Sequence, residues 1–361
     1  MNRISLVATF ILAVSTATAS GVNIFSLDKV CKMDEVYFVK VSGSLAYIGK
    51  GSSLVVLDVS KPENPITIGQ VAVPASVKDM KIVGKYAYAA CYNKGLQIID
   101  ISNPAVPVLV GGYDTPGMTK GLAVSGKYAY VADGFEGLQI IDISEPNKPA
   151  LVGTYDTSGY AQKVAVSGKY AYVADYNNGL KIIDISNPAL PMQVGEFDTK
   201  GSSEDIAVSG NYAYVSDGGP GLLVFDIANP AIPVQIAGYN LGSYTRGIML
   251  LGNYVYVANF SVGLQIVDVT TPAVARLVGE SDVCKFATSL DVAGGYAYVI
   301  DERNNCLFIL KMGPKSVPEP NVPPAEKQTS MASAIPDGKE PNKPEPNKPE
   351  PNTPKADKPK K

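Results

Sequence analysis

Histidine and tryptophan are both absent from this chain of 361 residues. The lack of histidine removes the commonest general base and the commonest metal ligand. The lack of tryptophan removes one favoured stacking side chain, although 21 tyrosines remain. Charge is also scarce, because only 18% of the residues are charged and the net charge is -3. A nucleic-acid-binding protein needs a basic face, so we expect no nucleic-acid partner.

Sequence motifs for nucleophilic catalysis are missing as well. No histidine can complete a serine or cysteine triad, and no Gly-x-Ser-x-Gly turn occurs. The glycine-rich turns lie in hairpin patterns and open no helix, so they predict no phosphate-binding loop. The sequence contains no Asp-x-Asp-x-Asp loop of the kind that binds calcium. We therefore assign no catalytic residue and expect neither a bound metal nor another cofactor.

The N-terminus carries a short apolar run. Ile4 to Val14 follows Arg3 and precedes the small residues Ala17 to Ala19. This pattern predicts a signal peptide over residues 1–19. A membrane-spanning helix needs about 20 apolar residues, so a membrane anchor is the weaker alternative. We expect a secreted, periplasmic or cell-surface protein with no membrane span in the mature chain.

A repeat dominates the rest of the chain. The segment Gly126 to Asp133 recurs as Gly168 to Asp175, and its second tyrosine, Tyr130, recurs as Tyr172. From Tyr88 onward the equivalent tyrosines are spaced 42 residues apart, and the first copy is 41 residues ahead. These second tyrosines are Tyr47, Tyr88, Tyr130, Tyr172, Tyr214, Tyr256 and Tyr298. The chain therefore contains seven copies of one unit.

Each copy is predicted to form four short strands. In the third copy, runs over residues 120–125, 127–132, 138–143 and 150–155 are separated by Gly, Pro and Asn turn residues. Four strands in a unit of this length are typical of a β-propeller. The strands are apolar on both faces, which fits blades stacked face to face. The sequence predicts an all-β, seven-bladed β-propeller over residues 22–312, with four antiparallel strands per blade.

The last copy lacks a fourth strand, because the composition changes at Gly313. An unassigned strand at about residues 23–30 precedes the first copy. When it is aligned with a complete copy, Val30 takes the place of Tyr113. We therefore predict that the N-terminal strand completes the last blade, which closes the ring and covers two open sheet edges.

Four cysteines are present, and an exported chain permits disulfides. The same alignment places Cys31 opposite Cys306. A bridge between them would contribute about 4–5 kcal/mol by the loop-entropy relation. Cys91 and Cys284 are then expected to be unpaired, and the alternative arrangement pairs Cys31 with Cys284.

Six of the third strands end in aspartate. These residues are Asp58, Asp100, Asp142, Asp184, Asp226 and Asp268. A ring of carboxylates could bind cations, but a residue that recurs in every such blade suits a scaffold role. Aspartate at the start of a turn accepts backbone N–H groups. We interpret the six as structural.

The third strands also carry a family resemblance. Leu54 to Val59 reads Leu-Val-Val-Leu-Asp-Val, and Leu96 to Ile101 reads Leu-Gln-Ile-Ile-Asp-Ile. Over residues 34–312 the chain resembles the LVIVD repeat family, although Lys311 stands where the last copy should have aspartate. The resemblance implies a β-propeller on an exported or cell-surface prokaryotic protein. It implies no reaction and no catalytic residue.

The loops that enter each blade vary while the strands stay uniform, and we expect these loops to surround the mouth of the axial channel. The candidate binding residues there are Tyr160, Lys163, Glu204, Asp205, Tyr244, Arg246, Lys285 and Phe286. Their mixture of aromatic and charged groups suits a protein, peptide or glycan ligand. The alternative is that these loops are simply solvated and vary because no function constrains them.

Two functions remain open from the sequence. The first is a monomeric interaction module for an unknown protein or glycan at the cell envelope. The second is a carboxylate-dependent hydrolase or lyase with its site at the channel mouth.

Residues 313–361 are rich in Pro, Lys, Glu and Asn, and Glu-Pro-Asn-Lys-Pro occurs at 340–344 and 345–349. Such a segment cannot bury a core, so we expect a disordered or polyproline II tail. It could act as a spacer, contact an acidic envelope or simply improve solubility.

Overall fold

The structure is a computed structural model, and it describes residues 24–313. Within that range 28 strands and two three-residue 3-10 helices are connected by turns. The strands form seven four-stranded sheets with antiparallel pairing, which confirms the predicted all-β, seven-bladed propeller. None of the described helices is long and apolar enough to cross a membrane. The predicted signal peptide and tail lie outside the described residues.

The first four blades follow one another along the chain. Blade 1 contains β2 (Val36–Ser42), β3 (Leu45–Lys50), β4 (Ser53–Asp58) and β5 (Ile66–Ala72), and follows β1 (Ile24–Lys32). Blade 2 contains β6 (Val77–Val83), β7 (Tyr86–Cys91), β8 (Leu96–Asp100) and β9 (Val108–Tyr113). Blade 3 contains β10 (Gly121–Ser125), β11 (Tyr128–Ala132), β12 (Leu138–Asp142) and β13 (Ala150–Tyr155). Blade 4 contains β14 (Lys163–Ser167), β15 (Tyr170–Ala174), β16 (Leu180–Asp184) and β17 (Met192–Phe197).

The last three blades complete the ring. Blade 5 contains β18 (Asp205–Ser209), β19 (Tyr212–Ser216), β20 (Leu222–Asp226) and β21 (Val234–Tyr239). Blade 6 contains β22 (Thr245–Leu251), β23 (Tyr254–Asn259), β24 (Gly263–Asp268) and β25 (Arg276–Ser281). Blade 7 contains β26 (Ala287–Ala293), β27 (Tyr296–Asp301) and β28 (Cys306–Met312), with β1 as its fourth strand.

The first strand of every blade lies innermost, since it contacts the first strands of both neighbouring blades. The second and third strands are covered on both faces: Ile140 and Ile141 of β12 point to opposite faces and both are fully buried. The fourth strand is partly exposed. The apolar core therefore lies between blades, as the two-sided apolar strands predict.

The connections place loops of two kinds at opposite ends of the propeller. The first and second strands meet in a two-residue turn whose first residue, such as Gly126 with φ of 57°, is in the left-handed region. Glycine adopts this conformation without strain, which explains its recurrence at this position. These turns, and the turns after the third strands, lie at one end. The loops that enter each blade lie at the other end, which we call the mouth end.

The N-terminal strand closes the ring, as predicted. β1 pairs antiparallel with β28, with Cys31 opposite Leu307 and Lys32 opposite Cys306. The predicted register is wrong by one residue. Cys31 occupies the place of Tyr113 in a complete blade, because Tyr113 pairs with the equivalent leucine. The connection from β1 to blade 1 is thus one residue shorter than a regular connection.

This one-residue difference removes the expected disulfide. All four cysteines are free in the structure. Cys31 packs with Met33 between blades 7 and 1, whereas Cys306 packs with Cys284 between blades 6 and 7. Successive side chains of a strand point to opposite faces, so a shift of one residue separates the two thiols. The alternative Cys31–Cys284 bridge is not formed either.

Candidate functional site

The mouth end of the axial channel opens into a cavity of about 590 Å³. One residue from each blade, ten positions before the second tyrosine, lines it. These seven residues, which we call the mouth ring, are Tyr37, Lys78, Lys120, Gln162, Glu204, Arg246 and Thr288. Each lies at or next to the start of an innermost strand, so the repeat places seven different side chains around one opening.

One half of the mouth ring is cationic. The ammonium of Lys78 lies 3.3 Å from the ring centroid of Tyr37 and 5.7 Å from that of Tyr92. The ammonium of Lys120 lies 5.1 Å from the Tyr92 centroid and 5.5 Å from that of Tyr160. Burial lowers the pKa of both lysines. Among residues 24–313, no carboxylate forms an ion pair with either one. Glu302 attracts both lysines from beyond ion-pair distance, and their close contacts are with aromatic rings.

The other half of the mouth ring holds partnered charges. The Glu204 carboxylate accepts a hydrogen bond of 2.5 Å from the Tyr244 hydroxyl, and burial raises the pKa of Glu204. Arg246 forms an ion pair of 3.3 Å with Glu302, and its guanidinium lies 5.4 Å from the Phe260 ring centroid. The two mouth-ring cations without an ion pair among residues 24–313 therefore lie on the side of blades 2 and 3.

A buried ion network lies one layer deeper in the channel. The Asp79 carboxylate pairs with the Lys163 ammonium at 2.9 Å and accepts the N–H of Leu122 at 3.2 Å. Asp205 accepts the N–H of Ile248 at 3.0 Å, and burial raises its pKa against the opposing effect of Lys163. Each carboxylate links its own blade to the next. Lys163 and Asp205 thus belong to the channel interior, not to the rim where the sequence placed them.

Aromatic side chains surround the mouth ring on the loops. The rings of Phe135 and Tyr160 meet edge to face with centroids 4.7 Å apart, and Tyr176 lies 6.4 Å from Tyr160. On the far side, the centroids of Phe260 and Phe286 are 5.3 Å apart. Tyr160, Tyr244 and Phe286 were expected on this rim, and the structure places them there. Lys285 is exposed and does not line the cavity.

Several of these aromatic residues were not among the candidate binding residues predicted from the sequence. Tyr92, Tyr176 and Phe260 lie four positions after the second tyrosine, in the loop between the second and third strands. Blades 3 and 5 have Gly134 and Gly218 at that position, where the backbone bonds to the loop of the next blade. An alignment of the repeats, position by position, could have identified these three residues, because aromatic residues stand there at a position that is glycine in other blades.

The aspartates at the ends of the third strands lie away from the mouth. Asp142 accepts the backbone N–H of Ser144, two residues later, at 2.8 Å. The other five blades that carry the aspartate have the equivalent hydrogen bond. Hydrogen bonds from Ser144, with an ion pair from Lys127, lower the pKa of Asp142 to about 2. This geometry is that of a turn, and the six belong to no group of three or more acidic or cysteine side chains that could hold a metal ion among residues 24–313.

A second set of aspartates, Asp133, Asp175 and Asp217, forms hydrogen bonds with threonine hydroxyls of the mouth-end loops. Asp133 accepts the hydroxyls of Thr115 and Thr119, at 2.6 and 2.7 Å, and the N–H of Gly117 at 2.8 Å. A Cβ on Gly117 would collide with the carboxylate and the carbonyl of Asp133, so only glycine permits this approach. Residues 24–313 contain no group of three or more side chains placed to hold a metal ion.

The fold and the site define a seven-bladed β-propeller whose channel mouth is polar and aromatic. Residues 36–73, 74–115, 116–157, 158–199, 200–240, 242–283 and 286–310 match the LVIVD repeat, so the chain belongs to the LVIVD repeat family. This confirms the resemblance seen in the third strands. The comparison with curated proteins found no match.

Solved structures share the fold at low sequence identity. The β-propeller domain of Cps50 (Swd1) from Myceliophteria thermophila has a TM-score of 0.66 at 12% identity, covering 80% of this chain and 99% of that one. The computationally designed Ika8 protein has a TM-score of 0.59 at 9% identity, covering 81% and 100%. BamB from Moraxella catarrhalis has a TM-score of 0.52 at 17% identity, covering 84% and 98%. At such identities the likeness concerns the fold alone.

Proposed function

We propose that this protein is an exported interaction module that binds a protein or polysaccharide of the cell envelope at the mouth of its channel. The observation that carries the proposal is the pair Lys78 and Lys120. Both are half-buried, no carboxylate lies within ion-pair distance of either, and burial lowers the pKa of both, so an anionic ligand would offset the solvation they have lost. Concave sites with a few convergent polar groups are the usual form of a binding site.

Export is supported by the N-terminal sequence, which lies outside the described residues. Its test is expression of the full chain in a bacterium, followed by fractionation and mass spectrometry of the product. We expect the chain outside the cytoplasm, beginning at Ser20. A cytoplasmic product that retains residues 1–19 would overturn this part of the proposal.

Binding at the mouth is tested by capture from cell-envelope extracts. The chain is immobilised as wild type and as Tyr160→Ala, Tyr244→Ala and Arg246→Ala variants. Matched controls are Tyr170→Ala, at the opposite end of blade 4, and Arg276→Ala, exposed on the outer strand of blade 6. We expect the mouth variants to lose capture while the controls retain it. Undiminished capture by all three mouth variants would place the site elsewhere.

An enzymatic role is the second candidate, and Glu204 favours it. Burial raises the pKa of this carboxylate, and its hydrogen bond to Tyr244 holds it at the cavity wall. A carboxyl with a raised pKa in a cleft is suited to acid–base catalysis, as in a hydrolase or lyase. Incubation with envelope polysaccharides, with assay for new chain ends, tests this. The role requires activity in the wild type that Glu204→Gln abolishes.

A further inference from the structure

We infer that the mouth recognises the uronate units of an acidic polysaccharide, with Lys78 and Lys120 binding carboxylates and the tyrosine rings beside them stacking on sugar rings. This inference rests on the proposed function and names its ligand class. It depends on three features of the mouth: its charge, its aromatic and amide groups, and its shape.

The positive charge that the inference uses belongs to two neighbouring lysines of the mouth ring. Lys78 and Lys120 are adjacent there, and besides burial the charge of Lys120 lowers the pKa of Lys78 against the larger opposing effect of Glu302. Glu302 attracts both lysines and Glu204 attracts Lys120, but the close contacts of these carboxylates are with other side chains, Glu204 with Tyr244 and Glu302 with Arg246. An anionic group that reaches the two lysines would relieve their repulsion and their incomplete solvation together.

The aromatic and amide groups lie next to these cations. A second cavity of about 500 Å³ shares Lys120, Gln162 and Tyr176 with the mouth cavity and continues outward to Phe135 and Tyr160. Asn177 and Asn178 also line it; the Asn178 amide donates to the Ser158 carbonyl at 2.9 Å, and the Asn177 amide oxygen accepts from the Ser202 hydroxyl at 3.3 Å. Flat rings suit the apolar faces of sugar rings, and amide groups can both donate to and accept from hydroxyls. A polymer could therefore extend from the channel mouth across the rim between blades 3 and 4.

The shape disfavours an acidic protein as the ligand. A stable protein interface buries about 800 Å² on each partner around a mainly apolar centre. The described mouth-end loops present only Met118 and Phe135 as strongly exposed large apolar side chains. The mouth cavity instead has the volume of small-ligand sites, roughly 300–1,000 Å³. A ligand whose repeating unit combines one ring with one carboxylate fits these dimensions.

The test measures binding of the full chain to defined polymers by calorimetry. The probes are polygalacturonate, its methyl ester, dextran and poly-glutamate. The methyl ester keeps every sugar ring but removes the charge, and poly-glutamate keeps the carboxylates but removes the ring. We expect polygalacturonate to bind, its affinity to fall with added salt, and the three other polymers to bind at least tenfold more weakly.

Variants connect binding to the named residues. Lys120→Gln and Lys78→Gln should each weaken polygalacturonate binding about tenfold, since a charge-assisted contact is lost. Tyr160→Ala should weaken it by a similar factor at every salt concentration. Lys127→Gln is the matched control, because Lys127 belongs to the same blade as Lys120 but lies at the opposite end, paired with Asp142. Its affinity should equal that of the wild type.

Three results would overturn the inference. The first is no binding of polygalacturonate, the second is equal binding of its methyl ester, and the third is preference for poly-glutamate. If envelope extracts still yield a ligand that the mouth variants lose, the proposed function stands while the uronate inference fails. If the mouth variants lose nothing from the extracts, the proposed function itself fails.

Discussion

Asp291 on the innermost strand of blade 7 accepts a hydrogen bond of 2.6 Å from the backbone N–H of Val41 on the innermost strand of blade 1. The same carboxylate pairs with the Lys40 ammonium at 3.0 Å and is only 2% exposed. The pairing of β1 with β28 joins the N-terminal strand to the outer edge of blade 7. The ring is therefore closed twice, once beside the channel and once at the outer edge.

Replacing Asp291 tests the inner closure. Asp291→Asn keeps the shape of the side chain but leaves Lys40 without its partner and weakens the bond to Val41. We expect the free energy of unfolding to fall by about 2 kcal/mol, as for other hydrogen bonds to charged groups. Urea unfolding followed by circular dichroism measures it. The control is Asp114→Asn, which removes the exposed pair with Lys94 and should cost less than about 0.5 kcal/mol.

Removing β1 tests the outer closure. A chain that starts at residue 34 exposes the edge of β28, whose backbone groups then lack their partners. We expect a lower unfolding temperature and self-association that increases with protein concentration, because open strand edges pair with one another. Calorimetry and light scattering measure these effects. A chain that starts at residue 20 keeps β1 and should behave as a stable monomer. Equal behaviour of the two chains would contradict this role of β1.

Much of this architecture could be predicted, because a propeller repeats its strands, turns and core positions at one period. The period gave the seven copies, and the runs between Gly, Pro and Asn residues gave the four strands of each, as in residues 120–125, 127–132, 138–143 and 150–155. The register of β1 could not be predicted, since it depends on a connection one residue shorter than the regular one. The depth of Lys163 and Asp205 was also missed. They begin their strands and point into the channel, a direction that loop variability alone does not reveal.

The cysteines allow a chemical test of the register of β1 against β28, because this register leaves Cys31 and Cys306 unpaired. Burial raises the pKa of Cys31 to about 11 and that of Cys91 to about 12, and the Cys284 pKa is raised for the same reason. Protonated, buried thiols react slowly. We expect iodoacetamide to modify none of the four thiols in the folded protein at pH 8, and all four after unfolding without reductant. Two unreactive cysteines in the unfolded chain would instead show a disulfide.

A glycine in the fourth strand controls how neighbouring blades pack. A Cβ on Gly153 would collide with the carbonyl oxygen of Pro188, in a turn of the next blade. Gly153→Ala should therefore lower the free energy of unfolding by about 1–3 kcal/mol, the usual cost of overpacking. Gly219→Ala is the control, because nothing lies within 4 Å of its Cβ and its φ is not positive. Urea denaturation of both variants distinguishes a packing effect from a general effect of substitution.

Asp175 makes the stability of the fold depend on pH. Burial raises its pKa from 3.8 to about 7, while the Thr157 hydroxyl donates to one carboxylate oxygen and the other has no hydrogen-bond partner among the described residues. Between these two pKa values the folded state holds a proton that the unfolded state releases. The favourable contribution is therefore complete below pH 3.8, decreases as the pH rises and is lost above about pH 7.

Blade 6 contains a natural replacement for this aspartate. Asn259 occupies the equivalent position, and its amide donates to the Leu241 carbonyl at 2.8 Å. Asp175→Asn cannot titrate, so the variant should gain stability over the wild type as the pH rises from 4 to 8, by on the order of 2–4 kcal/mol. Thermal unfolding at several pH values measures the difference. Asp156→Asn removes a neighbouring charge that raises the pKa of Asp175, so it should reduce the pH dependence without abolishing it. A gain that is constant with pH would mean that Asp175 is ionised throughout this range.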